Sequence, residues 1–315
     1  MNKKVALVVI YTHRYDKNIP IIEKIYGHKF SHIFHIVPFY NGTKSNVIPV
    51  YEHSHHYQGY ITQALNAFYD ESFEHYFFIS DDIIVNPAIN ENNLQEQLKL
   101  GPGDSFLCEL ISLHQLEKGH NWMRVKNAYE YRTKQFGCEF INELPTYDEA
   151  LAAFGKVGLD IKPLNFNQIY GHEKFSLQSV AKKGYLRKAA RQIKHRNTEF
   201  HLQYPLVGGY SDIFVISGKS IKQFARYCGI FAASKLFHEL AIITAMVLAT
   251  PNIRLGKELD LQGKALWTDE ELNELTPFSN NLTKLLANFP AKYFFLHPIK
   301  LSQWKLEQMM DPAHK

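Results

Sequence analysis

Two adjacent carboxylates stand directly after a short apolar run in the first third of the chain. Tyr76 to Ile79 are aromatic or aliphatic, and Ser80, Asp81 and Asp82 follow, as at the end of a buried strand. Two carboxylates held together repel each other, which raises the pKa of one of them unless a cation is bound. A hard divalent cation removes this conflict and can also bridge a diphosphate. The alternative is that the two acids only cap or solvate a turn.

The first strand that must support such a site is indicated by apolar patterning. The continuous run from Val5 to Ile10 predicts a strand covered on both faces of a mostly parallel sheet. Thr12, His13 and Arg14 follow this strand, and open α/β sheets bind ligands at the carboxyl ends of their strands. We therefore expect these three side chains to contact a nucleotide base or phosphate, although any single one is more often a surface residue.

Periodicity predicts the remaining elements of this half. A helix is expected over 21–26 after Pro20, and a second strand over 33–37, which gives a βαβ opening. From residue 57 onward, apolar residues recur at steps of three and four, which predicts an amphipathic helix ahead of the two acids. Gln58 lies away from the apolar stripe of this helix, so we expect it to meet a nucleotide.

The segment from Phe77 to Val85, with the helix before it, resembles the DxD region of GT-A type glycosyltransferases. The triplet is Ser80-Asp81-Asp82 here, so serine replaces the first aspartate of the family motif. The resemblance implies that Asp82 is a metal ligand and that Asp81 contacts the ribose or the sugar.

The same resemblance implies an α/β fold with a Rossmann-like, mostly parallel central sheet flanked by helices, and an acceptor-side lobe. It implies a nucleotide-sugar donor, with a UDP-sugar favoured, and Mn²⁺ or Mg²⁺ as cofactor. The acceptor would be a hydroxyl of a glycan or lipid-linked saccharide, as in the synthesis of bacterial lipopolysaccharide or capsule. Residues 1–100 would form the nucleotide-sugar-binding part, 101–204 a variable helical lobe, and 205–315 the acceptor side with a C-terminal metal and phosphate segment, all in one continuous domain.

Two residues near the end of the chain resemble elements that complete such a site. The resemblance implies that His297 is a second metal ligand and that Lys300 neutralises the departing diphosphate. The alternatives are a core histidine beside a proline turn and a solvated surface lysine.

The acceptor side is indicated by a glycine pair before a predicted strand. Gly208, Gly209 and Tyr210 resemble the acceptor-side glycine segment of the fold, and Asp212 would contact a hydroxyl. If the reaction inverts the anomeric centre, Glu239 is the candidate general base. The alternatives are a glycine bulge before an ordinary strand and an acid favoured by a helix dipole.

Composition restricts the classes of function. The 35 Lys and Arg against 31 Asp and Glu leave too small a positive excess for a protein that coats nucleic acid. The three cysteines lie far apart, which argues against a disulfide framework or a thiolate zinc site and favours a cytoplasmic protein. The basic run over 182–196 predicts peripheral contact with the inner face of a membrane, with a solvated helix face as the default interpretation.

Two other functions remain open. A sugar nucleotidyltransferase is disfavoured because residues 11–17 contain no glycine-rich loop. A carbohydrate-binding module that has lost turnover stays possible because Ser80 occupies the first position of the motif.

Overall fold

The computed structural model describes residues 3–116, 122–135, 138–170, 194–195 and 197–307. The strands in this part of the chain are β1 Lys3–Ile10, β2 Ile33–Pro38, β3 Val47–Val50, β4 Phe73–Ser80, β5 Ile84–Val85, β6 Ser105–Leu107, β7 Ile111–Ser112, β8 Lys134–Gln135, β9 Cys138–Glu139, β10 Val207–Gly208, β11 Ile213–Ser217, β12 Ile253–Leu255, β13 Gln262–Ala265 and β14 Tyr293–His297. The α-helices there are α1 Ile19–Tyr26, α2 Gln58–Phe68, α3 Leu94–Gln97, α4 Trp122–Glu130, α5 Tyr147–Lys156, α6 Phe166–Tyr170, α7 Ile221–Ala233, α8 His238–Ala249, α9 Asp269–Leu272 and α10 Leu282–Ala287.

A seven-stranded sheet with the order β12-β6-β11-β4-β1-β2-β3 forms the centre of the molecule. Strand β11 is antiparallel to both of its neighbours, and the other four pairings are parallel. The predicted Rossmann-like α/β architecture, with a mostly parallel sheet flanked by helices, is therefore confirmed at this level. From β1 the chain moves outward through β2 to β3, and it then returns to form β4 on the other side of β1. Doubly wound sheets open a ligand crevice at such a switch point, which here lies between β1 and β4.

Both faces of the central sheet are covered, and the side chains of strand β1 pack on each of them. Its alternate residues Ala6, Val8 and Ile10 join one apolar cluster, in which α2, α7 and α8 pack. The residues between them join a second cluster, which includes α1, α10 and β14. Because successive side chains of a strand point to opposite faces, a strand buried on both sides is apolar throughout. The predicted buried strand over residues 5–10 is confirmed.

Helix α8 lies within the first of these clusters. All residues from Leu240 to Val247 are buried, so the helix is apolar on every side and not only on one stripe. Despite this apolar helix, the described part of the chain contains no helix whose length and hydropathy would let it cross a membrane. The basic run proposed to contact a membrane lies outside the described residues, except for Lys194 and His195.

The middle segment contributes to the central sheet as well as to helices. Strand β6 pairs with β11 and β12, and β7 pairs with β10, so residues 105–112 belong to the frame of the domain. Helices α4 and α5 contact α8 beside them. The segment over 101–204 is therefore not purely an inserted helical lobe.

Candidate active site

The two adjacent acids follow the carboxyl end of β4, next to the carboxyl end of β1. Ile10 of β1 is paired in register with Ser80 of β4, and the backbone N–H of Asp81 donates to the carbonyl of Ile10 at 3.0 Å. This is the point at which the strand order reverses, so Asp81 and Asp82 border the crevice that such sheets use for ligands.

Asp82 meets a histidine and a lysine from the end of the chain. Its Oδ1 lies 3.1 Å from Nε2 of His297, and its Oδ2 lies 2.6 Å from Nζ of Lys300. Burial opposes ionisation, but His297 and Lys300 outweigh it and lower the pKa of Asp82 to about 2. Asp82 is therefore a charged carboxylate at neutral pH.

A second, three-stranded sheet brings these distant segments together. Its order is β13-β14-β5, with β5 directly after the two acids and β14 ending at His297. Val85 pairs with Phe295, and the backbone N–H of Ile299 donates to the carbonyl of Asp82 at 2.7 Å. The backbone thus fixes Asp82 and His297 relative to each other.

Asp81 is enclosed more completely than Asp82. Only 4% of its surface is exposed, and its Oδ2 accepts a hydrogen bond from Nδ2 of Asn18 at 3.1 Å. Burial, with the charge of Asp82 added to it, raises the pKa of Asp81 to about 7. A neighbouring cation would favour the ionised form of this carboxyl.

The ring of His297 is oriented by Tyr210. The Tyr210 hydroxyl lies 2.6 Å from Nδ1 of His297, and the Tyr210 ring stacks on Phe295 with centroids 5.6 Å apart. Nε2 of His297 donates to the charged Asp82, so Nδ1 accepts the hydrogen bond of the Tyr210 hydroxyl; with a cation bound, the proton would lie on Nδ1 instead and Nε2 would offer its lone pair to the cation. Histidines that bind metals are usually held through their other nitrogen in this way.

The donor atoms fit a divalent cation shared between the protein and a ligand. The described residues contain no group of three or more His, Cys, Asp or Glu side chains that could enclose a metal. Asp82 and His297 would supply one oxygen and one nitrogen, with phosphate oxygens and water completing the shell, as is common for Mg²⁺ with substrate phosphates. Carboxylate oxygen suits both Mg²⁺ and Mn²⁺, and imidazole nitrogen is a typical ligand of transition metals, so of the two expected cations Mn²⁺ would match this pair better.

Ser80, which directly precedes the two acids, is hydrogen-bonded to Asp212. Ser80 donates from Oγ to Oδ1 of Asp212 at 3.3 Å, and Tyr57 donates to the same oxygen at 3.5 Å. Burial raises the pKa of Asp212, while His297 acts in the opposite direction. These bonds give Asp212 a role in positioning β4, which the sequence did not indicate.

A cavity of about 900 Å³ adjoins the ring of His297. Tyr210 and Trp267, which both contact this ring, line the cavity, and so does Glu239 at the start of α8. Nε of Arg124 donates to Oε2 of Glu239 at 2.5 Å. Burial raises the pKa of Glu239, and the nearby Arg124 opposes that rise.

Gln58 and the glycine pair have packing roles. Gln58 is fully buried, and its Nε2 donates to the carbonyl of Leu236 at 2.8 Å, so its side chain does not face the crevice. A Cβ on Gly209 would lie 2.1 Å from the carbonyl oxygen of Glu109, and Gly208 pairs with β7. The chain needs glycine at 209 for a close approach to its own backbone, where we had expected an approach to a sugar.

Thr12, His13 and Arg14 follow β1 as expected, on the open side of the crevice. Thr12 is half-buried, and the other two are exposed. Arg14 already donates to Oδ1 of Asn41 at 2.5 Å, and the ring of His13 lies edge-on to Tyr15. All three side chains remain candidates for contact with a ligand.

Sequence reasoning missed Arg124, Trp267 and Asn18. Arg124 lies on α4, which carries no motif, and Asn18 carries no signal in the sequence. Trp267 stands just before a capping box formed by Thr268 and Glu271, a pattern that would have predicted a helix start directly after an aromatic residue.

We predict that Tyr210→Phe weakens the binding of Mn²⁺ roughly 10- to 100-fold, because it removes the partner that orients His297. The phenylalanine retains the ring that stacks on Phe295, so thermal stability should change little. Titration of Mn²⁺ in the presence of UDP, followed by thermal shift, measures the effect. Tyr51→Phe, at an exposed tyrosine, is the matched control, and equal Mn²⁺ affinity in the two variants would contradict the role given to Tyr210.

No protein-family model and no curated protein matches the sequence.

Proposed function

We propose that this chain is a metal-dependent glycosyltransferase of the GT-A type. It would move a sugar from a nucleotide-sugar, with a UDP-sugar favoured, to a hydroxyl of a glycan or lipid-linked saccharide. Within this proposal, a role in bacterial surface polysaccharide synthesis rests on the sequence resemblance alone, and a cytoplasmic location rests on the three widely spaced cysteines.

The observation that carries the proposal is the contact of Asp82 with His297 and Lys300 at the switch point of the sheet. A strand-end carboxylate there meets the two residues that the resemblance independently assigned to metal and diphosphate. Asp82 lies far from His297 and Lys300 in the sequence, so a shared role explains their contact better than chance does.

Within this proposal, the residues of the chain hold and orient the donor. Asp82 and His297 would hold the cation, which when bound neutralises the diphosphate and favours its departure. Lys300 would exchange its contact with Asp82 for a phosphate oxygen, because a lysine ammonium is a mobile point charge on a flexible stem. Asp81, enclosed beside them, would accept a hydrogen bond from a ribose or sugar hydroxyl.

The acceptor would enter through the cavity beside His297. Of the two acids expected to act in catalysis, Glu239 lines this cavity and Asp212 does not, so Glu239 is the better candidate for removing a proton from an acceptor hydroxyl. Asp212 accepts hydrogen bonds from Ser80 and Tyr57 and would act as a positioning residue.

A second candidate, a saccharide-binding module without turnover, is favoured by one feature. Arg124 is paired with Glu239 at 2.5 Å, and this arginine opposes the rise that burial gives to the pKa of Glu239, which limits the strength of the carboxylate as a base. Hydrolysis of UDP-sugars in the presence of Mn²⁺ separates the two functions, because only the transferase would release UDP.

The first test is a thermal-shift panel of UDP, GDP, CMP and dTDP, each with and without Mn²⁺. A ligand that binds only the folded state raises its stability by about 2.7 kcal/mol at a hundredfold excess over Kd. We expect one nucleotide, most strongly UDP, to raise the melting temperature only with Mn²⁺. If no nucleotide produces a shift with the metal, the proposed function is wrong.

A further inference from the structure

The cavity beside His297 has an aromatic mouth. Trp267 exposes 53% of its surface there, and its ring centroid lies 5.2 Å from that of His297. Its backbone N–H donates to Oε2 of Glu271 at 2.9 Å, and the N–H of Leu266 donates to the carbonyl of His297 at 2.7 Å. These hydrogen bonds hold the backbone at Trp267, and the indole ring of Trp267 presents a flat apolar face to the cavity.

Another part of the wall is charged. Arg124 is 7% exposed and meets two carboxylates, Glu239 through Nε and Glu109 through Nη1. The side chains of Glu109 and Glu239 are 45% and 28% exposed, and each contacts Arg124 through its Oε2. The remaining oxygen of each carboxylate is an acceptor for hydroxyl groups.

The volume of the cavity indicates the size of the molecule that would fill it. At about 900 Å³, it lies near the upper end of the roughly 300 to 1,000 Å³ that small-ligand sites span. A single hexose would leave much of this volume to water. The site is suited to a longer molecule that combines apolar faces with many hydroxyl groups.

We infer that this cavity binds an oligosaccharide of at least two rings, stacked on Trp267 and hydrogen-bonded to Glu109 and Glu239. Pyranose rings carry C–H groups on their faces, which are attracted to the negative face of an aromatic ring, and hydroxyl groups at their edges. A lipid tail would match the apolar walls, but it would cover the remaining oxygens of Glu109 and Glu239, which do not contact Arg124, without offering them a hydrogen-bond donor. The role of this saccharide as acceptor rests on the proposed function, whereas its binding does not.

The test measures saccharide binding to the full chain by calorimetry. The probes are the methyl glycosides of cellobiose, maltose, lactose and N,N′-diacetylchitobiose, each compared with the methyl glycosides of its own monosaccharides. We expect at least one disaccharide to bind about tenfold more tightly than its monosaccharides. Trp267→Ala should lower that affinity about tenfold, and Trp267→Phe, which keeps an aromatic face, should stay within about threefold of wild type.

Three outcomes would overturn the inference. One is that no disaccharide in the panel binds, and another is that Trp267→Ala binds as well as wild type. The third is that octyl glucoside gains affinity over methyl glucoside while the disaccharides gain none, which would identify a lipid site.

The nucleotide and Mn²⁺ panel on the same variants keeps this test separate from the proposed function. A normal nucleotide shift without disaccharide binding would reject only the inference. Disaccharide binding that depends on Trp267, in a chain without any nucleotide shift, would reject the transferase and retain the saccharide site.

Discussion

Asp82→Ala is expected to abolish the Mn²⁺-dependent thermal shift by UDP and to lower turnover by about 10²-fold or more. The substitution removes the charged oxygen ligand and leaves His297 as the single protein ligand of the cation. Asp82→Asn keeps the shape and one acceptor oxygen but loses the charge, so it should show nearly the same loss. Both variants should fold, because the hydrogen bond from the N–H of Ile299 to the carbonyl of Asp82 does not depend on the side chain.

The matched control for these variants is Asp260→Ala. The Asp260 side chain is 94% exposed, so its loss changes the total charge equally without touching the site. Wild-type turnover in Asp82→Ala, measured as Mn²⁺-dependent release of UDP, would show that the cation is held elsewhere.

Asp81→Asn is expected to stabilise the protein at neutral and alkaline pH. The pKa of Asp81 is raised to about 7 by burial and by Asp82, against an ordinary value of 3.8. Between these two values the unfolded chain releases a proton that the folded protein keeps, so the free energy of unfolding falls as the pH rises. At about 1.4 kcal/mol per pH unit, this cost reaches about 4 kcal/mol above pH 7.

Denaturant unfolding of wild type and Asp81→Asn at several pH values measures this effect. The two proteins should have similar stability near pH 4 and differ increasingly up to pH 7, with the variant more stable. The lowered pKa of Asp82 acts only below about pH 4, outside this window. Asp260→Asn should follow wild type throughout, and a pH-independent difference between Asp81→Asn and wild type would refute the shifted pKa.

The central part of the fold could be predicted because its signals are local. The apolar run over residues 5–10 and the three-and-four spacing after residue 57 correspond to β1 and α2. The position of β6 in the central sheet could not be predicted, since three residues carry too little periodicity to indicate a pairing.

The site was only partly predictable, for a physical reason. The apolar run before Asp82 indicated that residue and the resemblance implied His297, but neither signal could show that the two side chains lie 3.1 Å apart. Gln58 was expected to meet a nucleotide because it lies off the apolar stripe of α2, but α2 packs against α7, and Gln58 bonds to the carbonyl of Leu236 in the chain that follows α7. Arg124 depends on contacts between α4 and α8, for which no local pattern exists.

The pairing of β5 with β14 has a consequence for the order of folding. Asp82 and Lys300 are 218 residues apart in the sequence, and contacts of such long range form late because closing the intervening chain costs entropy. During synthesis, the carboxylates would emerge from the ribosome long before their partners. His297 lies three residues before Lys300, so a cation held by Asp82 and His297 would bind only chains that have finished folding, and partly made chains would compete poorly for the metal.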